Sequence, residues 1–212
     1  EPAFAIENAI HEVAHMGRIT RENMDRAFEA ALSYDKEKID KVYEVEKTIN
    51  NMEKLITEYL VKLSNLPLTE DQHVVVSNMF YSVSDIERVG DHVENIAELV
   101  DVKEGVDKIE FSEQALKDLE QIMDLVMKSF VFAMSAREHS DITDATKVVK
   151  YEDMVDNMEE ELREQHIERL SKQLCKPTNG VVFLDIISNL ERISDHAVNI
   201  ADYVKAESEA GI

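Results

Sequence analysis

A chain of 212 residues, 44% of them hydrophobic, is long enough to bury a substantial core as one domain or two small ones. Its formal charge of −22, from 45 acidic against 23 basic residues, lacks the basic footprint of a nucleic-acid partner and disfavours adsorption to an anionic lipid surface. With only 5 Gly, 3 Pro and no Trp, turn chemistry is scarce, and few, long helices are expected.

The first helix is predicted over 4–33. It carries His11-Glu12-Val13-Ala14-His15, a fit to the zinc-protease pattern H-E-x-x-H, with Glu46 as an imaginable third ligand. Glu12 and His15 alone are also half of a di-iron oxidase set. Ser33 and Asp35 mark a turn and an N-cap, and the second helix follows over 36–64 with an apolar rhythm of Val42, Val45, Ile49, Met52 and Ile56. Pro67 lies in the next loop. Thr69 with Gln72 forms a capping-box pattern opening the third helix, 70–100. Its seam of Val76, Met79, Val83, Ile86, Gly90, Val93, Ala97 and Val100 is that of a helix in a bundle. Residues 101–111 read as a connector. Ser112 then opens a fourth helix to 138, and Ser140 and Asp141 open a fifth over 142–174. Cys175 to Gly180 reads as a turn before the sixth helix, 180–206. No run is apolar enough to span a membrane, no signal peptide is visible, and the lone Cys175 favours a reducing compartment.

The two halves repeat one another. Of the sixteen residues starting at Asp85 and at Asn189, eight are identical: Glu, Arg, Asp, His, Asn, Ile, Ala and Val. The middle helices align as well, since Glu46, Met52 and Glu53 return as Glu152, Met158 and Glu159. The fold class is therefore all-α: two tandem, pseudo-symmetric three-helix bundles, 1–100 and 112–212, joined by 101–111. The repeat also weakens the zinc-protease and di-iron readings, because Lys117 to Gln121, aligned with 11–15, contain no histidine.

Residues i and i+4 share a helix face, so Glu87/Asp91, Glu191/Asp195 and Glu152/Asp156 each present two carboxylates side by side. The fourth such pair is Glu46/Asn50. All four fall on the flank of the apolar seam, which suggests a surface groove between neighbouring helices. Clustered carboxylates repel one another, and hard cations relieve that repulsion: iron(III), Mn, Mg or Ca suit all-oxygen donors better than Zn does. A purely solubilising acidic face on a helical adaptor is the alternative. His92 and His196 fall on another face and read as helix-contact residues.

Ile86-Glu87-Arg88-Val89-Gly90-Asp91-His92 and Leu190-Glu191-Arg192-Ile193-Ser194-Asp195-His196, each followed three residues on by Asn-Ile-Ala, resemble the PhoU family of phosphate-uptake regulators. The resemblance implies two three-helix bundles with multinuclear metal clusters, iron among them, on E(D)-x-x-x-D motifs. Carried over, those motifs place Glu152, Asp156, Glu191 and Asp195 in the second copy and Glu46, Glu87 and Asp91 in the first. Asn50 stands where an acid belongs, so the first site is expected to be the weaker. The implied role is regulatory and non-enzymatic, at the cytosolic face of the bacterial inner membrane. Its partners would be a phosphate transporter and a sensor kinase, and homo-oligomers are conceivable. The stretch Glu1-Pro2-Ala3-Phe4-Ala5-Ile6-Glu7 resembles the junction of Na/phosphate cotransporter-like proteins, which favours their C-terminal domain over a free-standing regulator.

Overall fold

A computed structural model describes residues 1–105, 108, 110–174 and 176–212, without the Lys103 side chain. Cys175 and part of the expected connector (Val106, Asp107, Ile109) lie outside the described residues. Those described form six helices and no strand: α1 (Pro2–Leu32), α2 (Lys36–Ser64), α3 (Glu70–Lys103), α4 (Glu113–His139), α5 (Ile142–Ser171) and α6 (Pro177–Glu209).

The local chemistry explains where they start and stop. Asp35 accepts from the Lys38 N–H at 3.2 Å, and Thr69 and Gln72 close a reciprocal capping box. Ser112 accepts from the Ala115 N–H. Ser140 and Asp141, expected to open α5 together, divide the work. Ser140 ends α4 in the left-handed conformation (φ 51°), while Asp141 caps α5 by accepting from Thr143 and Asp144. Two boundaries differ from expectation at the last turn. α5 stops at Ser171, followed by Gln173 at φ 58°, and α6 begins at Pro177, three residues earlier than predicted. Proline suits the first helical position, where its missing N–H costs nothing. α3 also runs past the predicted 100 into the connector, as far as Lys103.

Within each half the three helices all touch one another, and the halves meet along α1 against α4 and along α3 against α6. Among the described residues α2 and α5 stay within their own halves, as an exchange of equivalent halves requires. Every predicted seam position of α3 is buried. On α2 only Met52 sits at the edge of the core. Each fully buried Val, Ile or Leu contributes roughly 1.5–3 kcal/mol.

The α3–α6 seam is polar at its centre. The His92 and His196 rings stack at 5.6 Å, and each is tied to the opposite helix: His92 Nδ1 lies 3.0 Å from Asn189 Oδ1, and His196 Nδ1 lies 2.8 Å from Asp85 Oδ1. Asn95 donates to Asn189 and Asn199 donates to Asp85, so the two arms are related by the repeat. Only the Asp85 arm gains a hydroxyl donor, Tyr203, at 2.8 Å. Farther along, the fully buried Arg137 of α4 grips Glu207 of α6 through two hydrogen bonds of 2.6 and 2.8 Å, and Asn78 of α3 also donates to Glu207. Both clusters pin the two halves in register.

Candidate metal centre

Two acidic trios stand at repeat-related places. Between α2 and α3, Glu46, Glu87 and Asp91 each bring one carboxylate oxygen within 4.8 Å of the others. Between α5 and α6, Glu152, Asp156 and Asp195 do the same. The i, i+4 spacing puts Glu87 beside Asp91 on α3 and Glu152 beside Asp156 on α5; helix packing then supplies the third group from the neighbouring helix.

Six of the seven expected site residues are thus gathered into two sets. Glu191 stands beside the second trio and faces Glu159, whose carboxylate also accepts from Arg163 Nε at 2.7 Å. Asn50, in place of an acid, is exposed on α2. Glu12, His11 and His15 lie exposed on α1, and among the described residues they join no group able to hold a metal.

The expectation of a surface groove needs correcting at Glu46. This side chain is buried, at 2% exposure, and neither of its carboxylate oxygens has a hydrogen-bond partner. Its counterpart Glu152 is only half-buried. The helical wheel puts both on the flank of the seam, but packing draws Glu46 under α3, where Gly90 offers bare backbone. Burial of an unpaired carboxylate is costly, so Glu46 is pushed up to about 9, first by burial and then by the neighbouring Asp91, Glu94 and Glu87. Glu87 rises to about 7 through burial and the charges of Asp91 and Glu53. Glu152 rises to about 7 through burial and Asp156. Glu191 does so through burial and Glu159. Asp195 is raised by burial and Asp156, against the opposing pull of His196 and Arg192.

Sequence reasoning missed the wider acidic shell. In the first half Glu53 and Glu94 also lie near Asp91 and are raised by burial and by its charge. Glu53 had a usable signal, since it repeats unchanged as Glu159; Glu94 has no acidic counterpart. Chemically, each trio is an all-oxygen, anionic donor set. Carboxylates held this close repel one another unless protons or cations intervene, and an orphaned carboxylate facing two others has the donor chemistry that suits a hard cation.

The PhoU domain matches residues 13–100 and 119–204, once in each half. The chain belongs to the PhoU family. It is 27% identical over 195 residues to the phosphate-specific transport system accessory protein PhoU homolog 1 of Thermotoga maritima, covering 91% of this chain and 82% of that protein. It is also 27% identical over 190 residues to the PhoU homolog of Streptococcus pneumoniae, covering 88% of this chain and 85% of the relative. In fold it matches the crystal structure of PhoU from Pseudomonas aeruginosa with a TM-score of 0.91 at 23% identity, over 99% of this chain and 100% of that one. The S. pneumoniae PhoU structure gives a TM-score of 0.89 at 22% identity, over 99% and 98% of the two chains.

Proposed function

We propose that this chain is a metal-dependent regulator of phosphate transport, a non-enzymatic accessory protein acting on a phosphate transporter at the cytosolic face of the membrane. Membership of the PhoU family and relatives named as transport accessory proteins support the regulatory role. The observation that carries the metal is Glu46, buried and unpartnered, facing Glu87 and Asp91. Glu46, Glu87 and Asp91 would hold one cation or cluster; Glu152, Asp156 and Asp195, with Glu191 alongside, would hold the other. All-oxygen donors select hard ions, iron(III), Mn, Mg or Ca, ahead of Zn. Bound metal supplies positive charge that neutralises each trio. The chain's own groups would do the rest: Glu46, whose proton affinity is raised chiefly by burial, would give up its proton on binding, and donors from α2 and α3 would share the cation.

A free-standing regulator fits the relatives, most of whose length the chain covers, and these comparisons lend no support to a cotransporter domain. No helix among the described residues is long and apolar enough to cross a membrane. The test is phosphate uptake in cells lacking this chain, complemented with the native sequence or with Glu46→Ala/Asp91→Ala. The native chain restores restrained uptake and the variant does so incompletely. Equal restraint by both would refute the metal-dependent role.

A further inference from the structure

Beyond the exchange of Asn50 for Asp156, the two trios differ at one backbone position. On α3, a Cβ at Gly90 would lie 2.8 Å from Glu46 Oε2, closer than atoms pack without displacement, and in ordinary contact with its Cδ at 3.5 Å. The carboxylate occupies the space that a side chain at 90 would need. The equivalent residue of α6 is Ser194, which is fully buried with an unpartnered Oγ, and the acid equivalent to Glu46, Glu152, stays half-buried. The same α-helical backbone therefore carries an inner acid where the residue is Gly and an outer one where it is Ser. Glycine costs a helix interior about 1 kcal/mol relative to alanine, so its use at Gly90 needs a packing reason. The reason visible here is Glu46, with Ile49 Cγ2 at 3.4 Å closing the other side of the gap.

We infer that Gly90 is the positioning residue that makes the two metal sites unequal, by admitting the Glu46 carboxylate beneath α3 as a preset inner ligand of the first site. The inference rests on the metal reading proposed above. A preset ligand is already held by its packing and loses less freedom when a cation arrives, whereas the half-buried Glu152 is less restrained and has more freedom to lose. The consequence is two sites of different affinity within one chain, one filling before the other as the concentration of a hard divalent cation rises.

Manganese binding tests this by calorimetry on chelator-stripped protein, with the second site silenced by Asp156→Ala/Asp195→Ala. In that background Gly90→Ala is expected to weaken Mn²⁺ at the first site by about tenfold, the scale of losing one ligand-orienting contact. Adding Glu46→Asp, one methylene shorter, to Gly90→Ala makes room for the new methyl and recovers part of the affinity, which general damage to the fold would not allow. The double variant also keeps the test usable should Gly90→Ala alone unfold. Manganese bound equally well before and after Gly90→Ala overturns this inference and leaves the metal site standing; loss without recovery in the double variant also overturns it. No manganese on the unsubstituted chain removes the metal reading and this inference together.

Discussion

His92 and His196 stack ring on ring at 5.6 Å across the junction of the two halves, each tied by Nδ1 to a side chain of the other half. The residues next to them in sequence, Asp91 and Asp195, belong to the two trios, so the junction that fixes α3 against α6 also fixes the two sites relative to each other. Asp85 is its most heavily used member, accepting from Asn199 and Tyr203 and contacting His196. Asp85→Ala takes the partner from two half-buried groups, His196 and Tyr203, and from the exposed Asn199, and is expected to lower stability by about 2–3 kcal/mol. Asp85→Asn, which copies the natural residue at Asn189, should cost distinctly less. Urea unfolding of the two variants measures the difference.

The Arg137–Glu207 pair offers a second stability test. Arg137 is fully buried, so removing its partner strands a charge in the core. Glu207→Ala is expected to destabilise by about 3–5 kcal/mol, while replacing both residues by Met and Leu should recover much of that loss. Denaturant midpoints of the single and double variants decide it.

Stability should depend on pH through the acidic trios. Glu46 has an ordinary value of 4.5, raised in the folded chain to about 9, chiefly by burial. A carboxyl raised on folding contributes stability that is complete below its ordinary value and is lost as pH rises toward the folded one. Glu87, Glu152 and Glu191, raised to about 7, act in the same direction. The chelator-treated protein should therefore melt several degrees lower at pH 9 than at pH 5.5, by roughly 2–4 °C for each kcal/mol lost. Glu46→Gln, unable to ionise, should flatten the upper part of that fall. Thermal melts across this range check both statements.

Most of the fold was legible because it rests on local rules. The i, i+3, i+4 seam of α3, the caps at Asp35, Thr69, Ser112 and Asp141, and the repeat around Glu87 and Glu191 each announce themselves in the sequence. The i, i+4 pairs Glu87/Asp91 and Glu152/Asp156 were legible for the same reason. What escaped depended on packing between helices. A helical wheel puts Glu46 on a flank, whereas in the fold it is buried, with the space for its carboxylate left by the missing side chain at Gly90. Glu191 repeats Glu87 in sequence, yet Asp156 takes its place in the second trio because α5 offers an acid where α2 offers Asn50.

That substitution leads to a further expectation. Asn50 stands, exposed, where the second half has Asp156. Asn50→Asp adds an anionic oxygen donor beside Glu46 and should tighten Mn²⁺ binding at the first site by up to about tenfold, since ligand charge count sets affinity for hard cations. Calorimetry in the Asp156→Ala/Asp195→Ala background isolates the effect.

The most direct test of the metal-dependent account is the metal content of protein purified without chelator, measured by elemental analysis beside the variant Glu46→Ala/Asp91→Ala/Asp156→Ala/Asp195→Ala. The native chain is expected to carry iron or another hard cation in at least one-to-one ratio and to melt lower after chelation, while the variant carries none and is indifferent to chelator. A native chain as free of metal as the variant, and equally unmoved by chelator, would contradict the account.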